Sequence, residues 1–127
     1  MSNLLFIGFG GFLGSMLRYV FSGAVQGALK SADFPYGTFA VNLAGCLLIG
    51  FLSQLAESQG VFTSETRGFL FMGVLGGFTT FSTFGIETMN LFRDGENTLA
   101  FVNLAIHIIF GLGAVWLGRA IAYLIWR

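Results

Sequence analysis

The densest run of chemically capable side chains is Gly76-Gly77-Phe78-Thr79-Thr80-Phe81-Ser82-Thr83-Phe84, in which four hydroxyls and three phenylalanines follow a glycine pair. Adjacent glycines and β-branched threonines are poor helix material. A helix break here frees backbone carbonyls, and carbonyls gathered from two symmetry-related copies suit a hard cation. The competing reading is an unbroken helix whose Ser and Thr hydroxyls bond back to its own carbonyls. Glycines, hydroxyls and spaced rings together favour the break. Phe78, Phe81 and Phe84 recur every three residues and Glu87 continues the series, so on a helix they share a face. Such a stripe is ordinarily packing. Beside Ser82 and Thr83 it has a second use, because an aromatic ring has a negative face and a positive edge. Ring edges and hydroxyls offer weak, dry donors to a small anion without any full positive charge.

Other polar groups sit in apolar surroundings. Thr38 and Asn42 are four apart, which stacks a hydroxyl and an amide on one helix face. An amide at this depth serves either as an interhelical bond or as a ligand group. Asn103, His107 and Gly111 repeat the spacing. His107 has no His, Cys or carboxylate at metal-ligand spacing, and two roles stay open for it: a packed polar residue or a pore-wall donor. Arg18 is the one cation well inside its apolar stretch, placed either to reach the interface or to bond to helix ends. No nucleophile–base pair, phosphate loop or cofactor motif occurs, so no enzyme is expected.

The elements that must position these groups follow from composition. Of 127 residues, 55% are hydrophobic and 9% charged, against about 25% charged in a soluble domain. So short and apolar a chain cannot cover its surface with polar groups in water. Six Lys plus Arg balance six Asp plus Glu, which excludes nucleic-acid binding through a basic surface. The single Cys46 excludes a disulfide framework. Charges and turn residues cut the chain into four apolar stretches, at about 4–29, 36–56, 67–92 and 98–126, each long enough to cross a bilayer. The expectation is an all-α membrane protein, a single transmembrane domain over 1–127, with the third of its four spans broken near the middle. Met1-Ser2-Asn3 lacks the cation of a signal peptide, so the first stretch reads as a retained span.

Orientation is balanced. Arg67, Arg119 and Arg127 fall towards the side of the N-terminus, and Arg18, Lys30 and Arg93 towards the other. The positive-inside rule reads Lys/Arg bias, and here there is none. Either a subtler feature orients the chain, or it inserts both ways and two copies pair antiparallel about an axis in the membrane plane. Small residues four apart, at Gly10/Gly14, Gly23/Gly27, Ala40/Ala44 and Gly73/Gly77, predict close helix packing.

Three stretches, Gly11-Phe12-Leu13-Gly14-Ser15-Met16-Leu17-Arg18-Tyr19, Gly37 through Gly45, and Gly76 through Phe84, resemble in order the signature stretches of the CrcB (Fluc) fluoride channels. The resemblance spans nearly the whole chain. It implies a passive, fluoride-selective channel of the bacterial cell (inner) membrane, multi-pass, assembled as an antiparallel dual-topology homodimer with two pores. It implies a sodium ion at the dimer centre, held by the backbone carbonyls of Gly76 and Thr79. Phe81 and Phe84 match the rings that meet fluoride, Asn42 the pore amide, and Ser82, Thr83, Thr38 and Glu87 the polar track. Arg18 matches an arginine that shapes the vestibule. The fourth span departs from the pattern: Tyr and Ser are expected on the face that carries Asn103 and His107. Fluoride, a second copy and the lipid bilayer are the implied partners, and nucleic acid is not. A four-span proton-coupled exporter fits less well, because it needs a carboxylate in the first span and none lies between Leu4 and Leu29. A poreless accessory subunit leaves the hydroxyl-rich run without a use.

Overall fold

The computed structural model describes residues 1–30 and 33–126; Arg127, part of the charge balance, lies outside them. Three helices are continuous: α1 (Ser2–Leu29), α2 (Tyr36–Gln59) and α5 (Asn97–Ile125). The span between α2 and α5 is divided. Its first part, α3, covers residues 64–78 and is π-helical over Gly68–Leu75. Its second part, α4, is Phe81–Arg93. The four spans are long and apolar enough to cross a membrane, and no strand occurs among the described residues.

The ends follow local chemistry. α2 continues through the polar Glu57-Ser58-Gln59, past the expected 56, because Gly60 at φ 59° closes the last turn with its N–H on the Ala56 carbonyl. The third span starts at Ser64, three residues earlier than expected. Thr63 caps it, with Oγ1 accepting the Thr66 N–H at 3.2 Å.

The interior is made mostly of small and polar residues, with a few large ones such as Phe78 and Leu91, while most large apolar side chains face outwards, as a lipid environment requires. Val41, Ala100 and Asn103 are wholly buried, whereas Leu4, Phe12, Leu112 and Trp116 are exposed. α1 lies along α3, and α2 along α5. The α1–α3 contact is backbone on backbone. A Cβ on Gly73 would sit 2.9 Å from the Gly10 Cα, one on Gly77 would sit 2.8 Å from the Gly11 carbonyl oxygen, and one on Gly14 would meet the Val74 carbonyl. The expected Gly10/Gly14 and Gly73/Gly77 pairs therefore meet each other. Gly23 and Gly27 face open space, so that pair makes no interface among the described residues.

The break is present within the expected run, at its two adjacent threonines. Gly76 and Gly77 are helical, and the chain turns extended only at Thr79 (φ −91°, ψ 157°) and Thr80 (φ −151°, ψ 117°). Gly77 serves the contact with α1. The break also interrupts the phenylalanine stripe. Phe78 is buried with its ring 5.8 Å from that of Phe21, while Phe81 and Phe84 start a separate row on α4, 5.6 Å apart.

Candidate functional site

At the break, hydrogen bonds that a continuous helix would make are replaced by side-chain bonds. The Thr80 N–H, which would have bonded the Gly76 carbonyl, donates to Asn42 Oδ1 at 2.8 Å. Asn42 Nδ2 returns a bond to the Thr80 carbonyl at 3.1 Å. The Thr83 N–H, which would have bonded the Thr79 carbonyl, donates to Thr80 Oγ1 at 3.2 Å. Both substitutions satisfy polar backbone that has no water to turn to inside a bilayer. Both also release a carbonyl, those of Gly76 and Thr79, from its helical donor. Leu75 is different: its carbonyl keeps the Thr79 N–H and gains the Thr79 hydroxyl, each at 3.0 Å.

α4 is short, 13 residues, and is tied to its neighbours by polar bonds. Asn103, wholly buried on α5, donates Nδ2 to Thr88 Oγ1 at 2.9 Å, and that hydroxyl donates to the Phe84 carbonyl at 2.7 Å. His107 lies one turn further along. Its Nδ1 is 3.1 Å from the Asn103 carbonyl and its Nε2 is 3.1 Å from Asn42 Nδ2. The imidazole sits between Phe84, at a centroid distance of 4.2 Å, and Phe39, at 5.3 Å.

Two cavities flank this junction. The first, 510 Å³, is lined by Asn42, Gly76, Thr79, Thr80, Phe81, Phe84 and His107 among others, and is otherwise apolar apart from Cys46. Phe81 is 83% exposed on it, so its ring is free to meet a second body. The second, 480 Å³, is lined by Ser15, Arg18, Tyr19, Ser22, Thr38, Val41, Thr80, Thr83 and Glu87. There Thr38 Oγ1 donates to Glu87 Oε1 at 2.7 Å. Glu87 Oε2 is buried with no partner among the described residues.

The expected site residues thus divide. Asn42, Gly76, Thr79, Phe81, Phe84 and His107 come together on one cavity, and Arg18, Thr38, Thr83 and Glu87 on the other. Ser82 lines neither; it is exposed, with Oγ 3.3 Å from Thr80 Oγ1. Thr80 lines both cavities, and its place just ahead of the Phe81–Phe84 row is the N-cap signal that marks it in the sequence. Ser15, Tyr19 and Ser22 join the second cavity without having been expected site residues. Their spacing beside Arg18 puts them on one face of α1, which was legible.

Residues 5–119 match the family described as CrcB-like protein, Camphor Resistance (CrcB). The chain is 41% identical over 122 residues to "Fluoride-specific ion channel FluC 3" of Methanosarcina barkeri, covering 96% of this chain and 91% of that one. It is 45% identical over 124 residues to "Fluoride-specific ion channel FluC" of Chlorobaculum tepidum, covering 98% and 97%. With the protein of the same name from Chlorobium chlorochromatii it shares 46% over 117 residues, covering 92% and 89%. All three are named as channels, none as an enzyme. With a family match over most of its length and such identity across whole chains, the protein belongs to the CrcB-like family.

Proposed function

We propose that the protein is a passive, fluoride-selective channel that lets cytoplasmic fluoride leave down its gradient. The observation that carries this reading is the row of hydroxyls inside an apolar span, Thr80, Ser82 and Thr83, with the Phe81 and Phe84 rings interleaved and the Thr38–Glu87 bond beyond. The names of the relatives support the choice of ion. Fluoride is small and strongly hydrated, so a path for it must replace water with donors. Ring edges and hydroxyls do this weakly enough to let the ion go. Phe81, Phe84 and Asn42 then border the path on one cavity. Ser82 and Thr83, with Thr38 and Glu87, continue it, and Arg18 supplies a positive charge at its wider end. His107 borders it beside Phe84. The start of α4 adds the positive end of a helix dipole at the same place.

The pore is completed by a second copy in the opposite orientation, with the bilayer as the common solvent, in the inner membrane of a bacterial cell. The balanced charges and the exposed ring of Phe81 support that assembly. Two copies give two pores. The test is efflux from liposomes containing only this protein, read with a fluoride electrode. Fluoride flux without a pH gradient and without matching chloride flux is expected. Adding two lysines beside Arg67 is expected to orient every copy one way and remove most of the flux. Flux that needs a pH gradient overturns the passive channel, and full flux from the lysine variant overturns the dual-topology dimer.

A structural sodium ion belongs to the same reading. The residues present suit it, because the break strips the helical donors from the Gly76 and Thr79 carbonyls and both residues line the first cavity. Those two residues of each copy would hold the ion, and a bound cation would cancel the negative end of α3. Prolonged replacement of sodium by a large organic cation is expected to lower fluoride flux several-fold, with potassium restoring it poorly. Undiminished flux after full replacement removes the ion from the proposal.

A further inference from the structure

His107 is the only histidine in the chain, and its surroundings fix which ring nitrogen carries the proton. The Asn42 amide cannot be turned over. Its Oδ1 accepts the Thr80 N–H at 2.8 Å and its Nδ2 donates to the Thr80 carbonyl at 3.1 Å. A flip would set N–H against N–H and oxygen against oxygen. Nδ2 has a second hydrogen, and 3.1 Å away lies His107 Nε2. That nitrogen must therefore be the bare acceptor. The proton sits on Nδ1, where the Asn103 carbonyl accepts it at 3.1 Å. The ring is held edge-on by Phe39 and tilted against Phe84, so it cannot swing away without displacing either.

We infer that His107 is a positioning residue whose neutral, Nδ1-protonated ring locks Asn42 onto the broken backbone, and that protonating the ring unlocks it. A proton on Nε2 would confront the Asn42 N–H, and relief requires Asn42 to give up one or both bonds to Thr80. The break, with the Phe81 and Phe84 row that starts there, then loses its anchor to α2. The sign is opposite to that of a pore-wall imidazole, where added positive charge draws in the anion. Groups that could blur the titration are few among the described residues. Cys46 of α2 is the other titratable group on this cavity. Glu87 of α4 and Arg18 of α1 line the other one, and Glu87 there accepts from Thr38. α3 brings no charged group to either cavity. The inference rests on the channel reading only for its effect on flux.

Two measurements test it on the full chain carrying a histidine-free tag. The first is nitrogen-15 NMR of the labelled ring in lipid near pH 8. A protonated Nδ1 and a bare Nε2 are expected, and the opposite tautomer overturns the lock whatever the protein transports. The second is fluoride flux against pH. Wild-type flux is expected to fall on acidification, as the ring gains its second proton. His107→Gln offers an acceptor oxygen that does not titrate, and should keep flux within a few-fold and flatten the profile. His107→Leu leaves the Asn42 donor unpaired and should lower flux about tenfold at every pH. Flux that rises on acidification, or His107→Leu matching His107→Gln, overturns the lock. The expected tautomer in a protein that passes no fluoride supports the lock and removes the channel reading instead.

Discussion

Asn42→Ala is expected to reduce fluoride flux by more than about a hundredfold and to lower the thermal stability of the protein in detergent. The alanine leaves the Thr80 N–H and carbonyl unpaired, and His107 Nε2 without its donor. Each orphaned group costs about 1–3 kcal/mol, and more where no water can reach it. The backbone has one local escape, which is to restore the helical bond from Thr80 to the Gly76 carbonyl. That straightens the span and withdraws a carbonyl from the cavity. Asn42→Asp separates geometry from chemistry: its oxygen still accepts from Thr80, but as a carboxylate it donates nothing back. Its second oxygen faces the Thr80 carbonyl and its charge repels an anion, so it should pass no more fluoride than alanine. The measurements are electrode-recorded efflux and the midpoint of thermal aggregation. Wild-type values of both for Asn42→Ala would show that the break holds without the amide.

Phe81→Ile and Phe84→Ile are each expected to cut flux at least about tenfold while the protein still folds and assembles. A branched aliphatic of similar bulk costs under about 1.5 kcal/mol in packing, which a well-formed bundle tolerates. It removes the ring quadrupole, and no electropositive edge remains to replace lost hydration. Phe→Tyr at either position should be milder. Phe39 would make a poor control, because its ring touches His107 and lines the same cavity. Phe110 is a better one: it is exposed on α5 and lines neither cavity, so Phe110→Ile should leave flux near wild type. Equal flux in all three isoleucine variants, with intact assembly by size-exclusion chromatography, would return the two rings to packing.

What sequence could and could not reveal here has a physical pattern. The four spans were legible because few charges interrupt the apolar chain and, apart from Arg18, Glu87 and Arg119, they fall at span ends or between spans. The existence of the break was legible in two glycines and four hydroxyls. Which residues of that run open was not, because a helix ends where another group takes over its hydrogen bonds, and that group is Asn42, 38 residues away. In the sequence Gly76-Gly77 reads as the weak point; in the fold Gly77 is where α3 presses on α1, while Gly76 lines the first cavity. The π-helical turns of Gly68–Leu75 carry no composition that marks them. The readings left open for Asn42 and His107 also turn on tertiary partners. Both side chains prove to be bonded across helices, and both line the cavity as well.

The contact between α1 and α3 has a consequence for how accurately the break is placed. Where Gly10, Gly11 and Gly14 meet Gly73, the Val74 carbonyl and Gly77 the contact is backbone on backbone, so no side chain at those points can repack to absorb an error. Two bare backbones mesh like the teeth of a rack, and the next mesh is a whole residue away. One step along a helix is about 1.5 Å of rise and 100° of turn. A slip of that size would carry the Thr79 carbonyl off its cavity and swing Thr80 out of reach of Asn42. The glycine contact therefore works as a gauge: it sets the level in the membrane at which the helix opens, only two residues beyond its last tooth.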